Sequence, residues 1–550
     1  MRCSLDIDSP NDTGNPSLMR DSEAQGTTLR PFMVGTVALA ILAGVVFRFI
    51  GLEQGLLWHD EVATRIFAAG YNPHEWREVL FTAEVFNLSD VLHYQARNDD
   101  RSLWQAITGL AADDPQHPPL YYVLIRAWSG LFGNSIGALR TLSAISGMLM
   151  LPCIFWLSLE LFSTKRSAWI AAALGAVSPF FVLYGQEARE YALWATLIVL
   201  STAMLLRAVR IAETASRPPT LPWALYGLCI TISLYTSFST VAVLGAHAAF
   251  IAIIQRGRIT PVTLSFAVAT GCACLAFLPW ALSLIHHFEA FEASMRWSRE
   301  IVIPNSALLR IQSFNASRTL VDFWPELETS TAWVMTALVV GFITCALVHL
   351  ARKGPSRARV MMFVLIATPL MLTLVPDLLF GGIRSVSARY MTPTWIAISL
   401  TVAHLITTVR FNQRLRGTLA ATVLGLGILS CWSNSTKEVV WTKGTSLGLP
   451  AIARLINTSP KPLVVSDHEV HHPGNMMALS TLLRPSTKMQ FLTHDLRSVY
   501  ALPEHSGDVF LISPIPQFRD KIERTNSLTA RLIYEDIYLQ LWKLEPNEKE

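Results

Sequence analysis

Long apolar runs alternate with short polar segments along this chain up to residue 432. Each run has about 17–25 mostly hydrophobic residues, which is enough to cross the hydrocarbon core of a bilayer as a helix. The pattern predicts an α-helical polytopic membrane protein with eleven transmembrane helices. The predicted spans are 32–52, 137–161, 167–184, 191–210, 221–238, 239–255, 261–285, 331–351, 360–376, 390–409 and 417–432.

One further apolar segment, residues 118–133, is short, begins at Pro118-Pro119 and has Arg126 in its middle. Cytoplasmic loops of membrane proteins carry an excess of Lys and Arg, so the basic loops decide how this segment is placed. If it is a re-entrant or interfacial helix, the basic clusters all lie on one side. They are Lys165 and Arg166; Arg207, Arg210 and Arg217; Arg256 and Arg258; Arg352, Lys353, Arg357 and Arg359; and Arg410, Arg414 and Arg416.

This topology predicts four segments on the outer side of the membrane: 53–118, the turn around 184–190, 286–330, and the tail 433–550. The tail differs from the rest because short apolar stretches, typical of buried strands, alternate there with helical stretches. It predicts a small soluble periplasmic α/β domain. Residues 1–31 are polar and predict a disordered cytoplasmic tail.

Composition supports this class of protein. The chain is 51% hydrophobic and 15% charged, with a mean hydropathy of +0.38, whereas soluble proteins carry about 25% charged residues. The net charge of +4 comes with basic residues in short loops, which favours a role in topology over nucleic-acid binding. The seven cysteines lie mostly in apolar runs, which does not indicate a disulfide framework.

Asp60-Glu61 is the first candidate for chemistry. These adjacent carboxylates follow the first span and open a loop of about sixty residues, far longer than two packed helices need. A carboxylate pair beside a membrane suits a general base, a metal site or both. The alternative is a solvated helix start, since Asp and Glu favour a first turn.

Three more groups precede or follow predicted spans on the same side. Gln186–Tyr191 places Glu187, Arg189 and Tyr191 between two spans, although a charged hairpin turn would look the same. His117 stands before two prolines that fix its backbone, and a single His is more often structural. Arg389-Tyr390 opens the tenth span, where Arg could bind phosphate or anchor the helix at the interface. The cluster 467–472 has metal-ligand residue types without a zinc spacing.

The ordered set resembles a known superfamily. Arg48, Trp58-His59-Asp60-Glu61, His117-Pro118-Pro119, Gly185–Tyr191 and Arg389-Tyr390 resemble the motifs of the GT-C membrane glycosyltransferases. The likeness is strongest to bacterial relatives of protein O-mannosyltransferases and lipid A aminoarabinose transferases. It extends over residues 35–410, and the tail after residue 433 is not covered.

The resemblance implies that a sugar moves from a polyprenyl-phosphate donor to an envelope lipid, glycan or protein on the periplasmic face of the bacterial inner membrane. It implies Asp60 as the general base or orienting group, with Glu61 and Glu187 as supporting acidic residues. Asp60 and Glu187 are then the candidate ligands of a divalent metal, which is the cofactor left open. The implied donor-phosphate ligands are Arg48, His117, Arg189, Arg389 and Tyr390, and Trp58 and Tyr191 would position substrate.

The resemblance also indicates a departure at His117. The aminoarabinose transferases have Lys at this position, where it holds the donor phosphate, and neutral His is a weaker phosphate partner. Two other classes stay open from the residues alone. A secondary transporter would place charges near mid-membrane and usually repeat one half of the chain. A non-catalytic scaffold of the envelope would use the tail to bind a partner.

Overall fold

The computed structural model describes residues 31–214, 219–323, 330–467, 473–492, 502–503 and 507–546. Residues 1–30 of the predicted cytoplasmic tail and 468–472 of the histidine-rich cluster lie outside these ranges. The helices, in chain order, are α1 (Pro31–Phe49), α2 (His59–Ala69), α3 (Pro73–Leu80), α4 (Leu88–His93), α5 (Leu103–Asp113), α6 (Leu120–Phe132), α7 (Ile136–Phe162), α8 (Lys165–Val177), α9 (Pro179–Gly185), α10 (Tyr191–Thr214), α11 (Thr220–Thr236), α12 (Thr240–Ile254), α13 (Pro261–His286), α14 (Phe288–Met295), α15 (Trp297–Glu300), α16 (Asn305–Ser317), α17 (Ser330–Lys353), α18 (Ser356–Leu372), α19 (Leu374–Phe380), α20 (Thr392–Thr408), α21 (Gln413–Ser435), α22 (Leu449–Ile456), α23 (Pro473–Ser480) and α24 (Pro516–Asn526).

Each predicted span coincides with a helix or with two consecutive helices. Within the described residues, seven helical segments are long and apolar enough to cross a membrane, and the bent pair α8–α9 would be an eighth. Helices α11, α12 and α20 are shorter, with 17, 15 and 17 residues. The protein is therefore a multi-pass α-helical membrane protein, but the predicted count of eleven spans is not confirmed.

The bundle has a buried centre and an apolar outer surface. In α10 and α20 nearly every side chain before the last turn is buried. By contrast α13 exposes Leu264, Leu275 and Leu282. An apolar surface of this kind on a long hydrophobic helix suits contact with lipid chains.

A helix break lies between α8 and α9, whose axes bend by 56°. Pro179 begins α9, and proline cannot donate the backbone hydrogen bond that would continue a helix. The last carbonyls of α8 therefore lack helical partners. Arg48 supplies the missing hydrogen-bond donors, because its guanidinium donates to the carbonyls of Ala176 at 2.6 Å and Gly175 at 2.9 Å.

Six strands form one mixed sheet beside the bundle. They are β1 (Val85–Asn87), β2 (Leu463–Asp467), β3 (Lys488–Leu492), β4 (Val509–Ile512), β5 (Leu528–Glu535) and β6 (Gln540–Pro546), in the order β1-β3-β2-β4-β6-β5. Strand β2 runs parallel to β3 and β4, as strands connected through helices do. The strands and helices predicted for the tail are present, so the small α/β part is confirmed.

The sheet is not made from the tail alone. Strand β1 comes from the first loop and pairs antiparallel with β3, where Val85 lies opposite Gln490. One hydrophobic core joins both parts, with Leu57 and Val62 of the first loop packed in the same cluster as Leu449 and Phe491 of the tail. The predicted division at residue 433 therefore misses that the first loop and the tail fold as one unit, which we call the loop–tail unit.

Segment 118–133 contains α6, a helix of 13 residues that packs on α2 and α7. Arg126, in its middle, is buried by backbone carbonyls of the first loop, including that of Ala68 at 2.7 Å and that of Asn98 at 2.9 Å. The charge of Arg126, which argued against a full membrane span here, is thus hydrogen-bonded within the loop–tail unit.

Candidate active site

Asp60 and Arg389 form an ion pair at the junction of the loop–tail unit and the bundle, with 2.7 Å between Oδ2 and Nη1. Helix α2 begins at His59 and holds Asp60 in its first turn, and Arg389 lies in the 3-10 helix Ala388–Met391 just before α20. The side chains are 17% and 13% exposed, so a ligand can reach both. Nε2 of His59 lies 3.1 Å from the second oxygen, Oδ1, of Asp60.

Three aromatic rings surround the Arg389 guanidinium. Its central carbon lies 5.5 Å from the ring centre of Trp58, 5.2 Å from that of Tyr191 and 5.5 Å from that of Tyr390. These distances suit cation–π contacts, which hold a cation without using its hydrogen-bond donors. Nε of Arg389 is buried with no hydrogen-bond partner in the structure. The arrangement thus leaves a donor on Arg389 unused.

The charge on Asp60 is strongly favoured. Burial alone would raise the pKa of Asp60. Arg389, then His59 and Arg189, lower it by more than that, so the pKa of Asp60 lies well below the ordinary value of a carboxyl group. A carboxylate of this kind is ionised at neutral pH and can accept a hydrogen bond from a substrate hydroxyl.

Arg189 is the second cation of the site and is only 2% exposed. Its Nη1 donates to the backbone carbonyl of Asp60 at 3.2 Å and to Thr64 Oγ1 at 3.1 Å. Its Nη2 lies 3.3 Å from the Tyr191 hydroxyl and 2.9 Å from His117 Nε2. Arg189 therefore connects the first turn of α2 to His117 and to the start of α10.

His117 is held from both sides. Its Nδ1 lies 2.8 Å from Asp114 Oδ2, and its Nε2 faces Arg189. Arginine has donors only, so Nε2 accepts and the proton of a neutral ring is on Nδ1, where it is donated to Asp114. His117 therefore orients Arg189. That His117 binds the donor phosphate directly stays a prediction, and in this structure its Nε2 faces Arg189.

Glu61 points away from Asp60 and is fully buried. Arg140 binds both of its oxygens, with Nε 2.7 Å from Oε1 and Nη2 2.8 Å from Oε2. The amide of Ala188 donates to Oε1 at 2.8 Å, and Lys443 Nζ lies 3.2 Å from Oε2. Burial raises the pKa of Glu61, but Arg140 and Lys443 outweigh it and lower the pKa to about 2. With four donors and no exposure, Glu61 cannot touch a substrate, which corrects its assignment as a catalytic residue.

Glu187 is buried beside this group. Its Oε1 accepts from the Thr442 hydroxyl, and its Oε2 has no hydrogen-bond partner in the structure. Burial raises the pKa of Glu187, and Glu61 adds to that effect while Lys443 partly opposes it, so that the pKa is about 7. A carboxyl group of this pKa is partly protonated at neutral pH, which fits a buried oxygen that no donor reaches.

The segment after the last helix of the bundle reaches into the site. Trp441–Ser446 is a 3-10 segment in which Thr442, Lys443 and Ser446 are buried. Thr442 binds Glu187 and Lys443 binds Glu61, as described, while Thr445 Oγ1 lies 3.1 Å from His59 Nδ1. We call Trp441–Ser446 the junction segment, because it connects the bundle to the tail.

Arg48 lies outside this group of residues. Its Nη1 and Nη2 donate to the carbonyls of Gly44, Gly175 and Ala176 inside the bundle. Those bonds satisfy the end of α8, which is a structural task. The assignment of Arg48 as a donor-phosphate ligand is therefore corrected.

The two candidate metal ligands do not form a metal site. Asp60 is paired with Arg389 and His59, and Glu187 has one oxygen on Thr442. Among the residues that the structure describes, no group of three or more His, Cys, Asp or Glu side chains is arranged to hold an ion. The donor set around Asp60 consists of cations and aromatic rings, which does not fit a divalent metal.

The structure brings together most of the predicted residues: Asp60, His117, Arg189, Tyr191, Arg389, Tyr390 and Trp58. The sequence interpretation missed Asp114, which binds His117 from three residues upstream, although that spacing could have indicated it. It assigned no role to Arg140, the main partner of Glu61. It also missed Lys443, whose partner Glu61 is 382 residues away, so no local spacing signals the contact.

Comparison with known proteins finds a family match within the bundle. Residues 116–282 match the family model of dolichyl-phosphate-mannose-protein mannosyltransferases. The undecaprenyl phosphate-α-4-amino-4-deoxy-L-arabinose arabinosyl transferase of Pectobacterium atrosepticum is 28% identical over 180 residues, which is 32% of this chain and 31% of that relative. The match thus spans about a third of the curated relative's length.

Solved structures of ArnT from Cupriavidus metallidurans share the fold. The structure bound to undecaprenyl phosphate matches with a TM-score of 0.55 and 11% identity, covering 93% of this chain and 97% of the other. The apo structure gives 0.53 and 11%, covering 93% and 98%. The predicted resemblance to GT-C membrane glycosyltransferases is confirmed, and the shared fold includes the tail that the sequence resemblance did not cover.

Proposed function

We propose that this protein is a glycosyltransferase that moves a sugar from a polyprenyl-phosphate carrier to an acceptor of the cell envelope. The observation that carries the proposal is the partly exposed Asp60–Arg389 pair, an ionised carboxylate and a cation side by side at the junction of bundle and loop–tail unit. The ArnT relative with this fold binds undecaprenyl phosphate. We place the site on the periplasmic face of a bacterial inner membrane, because the basic loops favour that orientation.

Asp60 is the proposed general base. It accepts the proton of an acceptor hydroxyl or amine as that group attacks the anomeric carbon of the sugar. The bond from that carbon to the phosphate oxygen breaks, its electron pair stays on the phosphate, and the proton ends on Asp60. A general base placed in this way typically contributes about 10²–10⁴-fold to the rate.

Arg389 is the proposed ligand of the phosphate that leaves, and the buried Arg189 adds a second positive charge to the site. Guanidinium groups bind phosphate through paired hydrogen bonds, and their charge stabilises the anion that forms as the bond breaks. Nε of Arg389 has no partner in this structure and is available for a phosphate oxygen. A phosphate bound there shares Arg389 with Asp60, which raises the pKa of Asp60 and makes it a better base.

A small apolar cavity lies next to Tyr191, one of the rings around Arg389. It lies between α7, α9, α10 and α20, with Met150, Phe180, Phe181 and Ala195 among its lining residues. Its free volume is about 10 Å³, which is room for about one water molecule, so the side chains that line it would have to move apart before it could receive an isoprene unit of the donor.

The direct test uses the purified full chain in lipid nanodiscs. Radiolabelled sugars on undecaprenyl phosphate, with mannose and 4-amino-4-deoxyarabinose as the two probes, are incubated with envelope lipids, glycans and proteins as acceptors. We expect label to leave the carrier, with D60N as the inactive control. If the wild-type chain consumes neither donor faster than D60N does, the proposal is wrong.

A further inference from the structure

We infer that Lys443 is a positioning residue of the active site and that the junction segment Trp441–Ser446 belongs to the catalytic machinery. The inference rests on the proposed function and extends it to a part of the chain that follows the transmembrane bundle. It assigns Lys443 the task of fixing the first turn of α2, and thereby the direction in which Asp60 faces its substrate.

The start of α2 lacks the usual capping hydrogen bond from a side chain. Trp58 is the N-cap residue, and its side chain makes no capping hydrogen bond. The stretch before it is held by its carbonyls instead. Arg140 donates to those of Leu52, Gly55 and Leu56, and Lys443 Nζ also donates to Leu56. Residues from α7 and from the junction segment therefore set where α2 begins.

The charges give the reason for a cation at position 443. Glu61 and Glu187 are buried close enough for each to affect the other electrostatically. Arg140 and Lys443 are the two cations that act on both carboxylates. Buried carboxylates are tolerated when they are paired, and an unpaired one is expelled or protonated. Without Lys443, Glu61 would keep the guanidinium of Arg140 but would lose its second cationic ligand, one residue from Asp60.

A second contact from the same segment acts on Asp60 through His59. Thr445 Oγ1 lies 3.1 Å from Nδ1 of His59, and Nε2 of His59 lies 3.1 Å from Asp60 Oδ1. Ser446 is fixed in turn by Asn475, whose Oδ1 accepts its hydroxyl at 2.6 Å. The junction segment therefore holds both carboxylates of the first turn, one through Lys443 and the other through Thr445 and His59.

The test compares K443M with K443R and with K437M. Lys437 is a matched control because it precedes the junction segment and donates to Asn434 at the end of α21. We expect K443M to lower kcat at least 30-fold, counted per folded molecule, with the KM for donor changed less than threefold. K443R should recover at least a third of that loss on a logarithmic scale, and K437M should stay within threefold of wild type.

A KM–kcat split separates positioning from stability, because lost stability alone lowers the amount of folded protein and not its turnover. If folded K443M keeps more than a third of wild-type kcat, the inference is wrong. If K443M does not fold, K443Q and K443R replace it, and the inference fails if both keep full turnover.

A double-mutant cycle with E61Q tests the contact independently of activity. We expect the loss of thermal stability caused by K443M to be at most half as large in the E61Q background, since the carboxylate that Lys443 neutralises is then absent. Equal losses in both backgrounds would remove Lys443 from this role. A wild-type chain with no transferase activity contradicts the proposed function, whereas additive stability effects contradict the inference.

Discussion

Asp60 and Glu61 are neighbours in the sequence, yet they lie in opposite kinds of environment. Asp60 keeps 17% of its side-chain surface exposed and shares its charge with Arg389, which is itself partly exposed. Glu61 has no exposed surface, and Arg140, Lys443 and the amide of Ala188 occupy its oxygens. One turn of helix thus presents one carboxylate to a ligand and the other to the protein.

The difference teaches how a site can combine reactivity with a fixed position. Successive residues of a helix point about 100° apart, so adjacent carboxylates cannot share one environment. A substrate can compete for Arg389, because the pair is reachable. No substrate can compete for Arg140. The exchangeable pair therefore suits catalysis, and the sealed pair suits support.

The largest effect is expected from Asp60→Asn, which removes the base and keeps the shape. We expect transfer to fall by about 10²–10⁴-fold, the usual contribution of a general base. The measurement is initial transfer rate in nanodiscs, with thermal unfolding to show that the protein is folded. A rate within tenfold of wild type would show that Asp60 is not the general base. Asp60 would then be a structural residue, as Glu61 is.

Glu61→Ala should act on stability first. Removing one partner of a buried ion pair typically costs about 3–5 kcal/mol, because the cations are left uncompensated. We expect a clearly lower thermal unfolding midpoint, whereas Glu84→Ala, a change at an exposed acidic residue of the same loop, should alter the midpoint little. Equal midpoints for the two variants would show that Glu61 is not a structural anchor.

Arg389→Ala should weaken donor use. A hydrogen bond to a charged group contributes about 1.5–3 kcal/mol, so we expect the KM for donor to rise about 10–100-fold. Arg389→Lys keeps the charge and loses the paired hydrogen-bond geometry. Its KM for donor should therefore lie between the values of the wild type and of Arg389→Ala. An unchanged donor KM in both variants would take Arg389 out of the phosphate site.

The smallest effect is a change in pH dependence. Burial, with Glu61 adding to it, raises the pKa of Glu187 from 4.5 to about 7. The folded state then binds more protons than the unfolded state between these values, so this group makes stability fall as pH rises through that window. We expect Glu187→Gln to flatten the fall between pH 5 and pH 7 in thermal unfolding. An identical slope in the variant would contradict the raised pKa.

Much of the fold follows from local patterns. The apolar runs predict the helices of the bundle because hydrophobic length is a property of each segment alone. Strands β2, β4, β5 and β6 of the tail follow from short apolar stretches for the same reason, whereas β3 (Lys488–Leu492) was not predicted. Strand β1 was missed, since Val85–Asn87 has only three residues and becomes a strand by pairing with β3 far away in the chain.

The residues of the candidate site were named from the resemblance of the sequence motifs to a known superfamily. Asp60, Arg189 and Arg389 stand together as expected, and the polarity of their motifs signalled them. Arg48 was misread because the break at Pro179, which creates its carbonyl partners, depends on how α8 and α9 bend. Lys443 could not be read, because its task arises only when the junction segment meets α2.

Strand β1 also governs the order in which the protein can be completed. Its partner β3 ends at residue 492, so the first loop has no strand to pair with until the chain has been synthesised to that point. Lys443 likewise reaches Glu61 only after the last bundle helix is made. The loop–tail unit that carries Asp60 is therefore completed late, and a polypeptide interrupted before β3 has its membrane helices without the strand that pairs with the first loop.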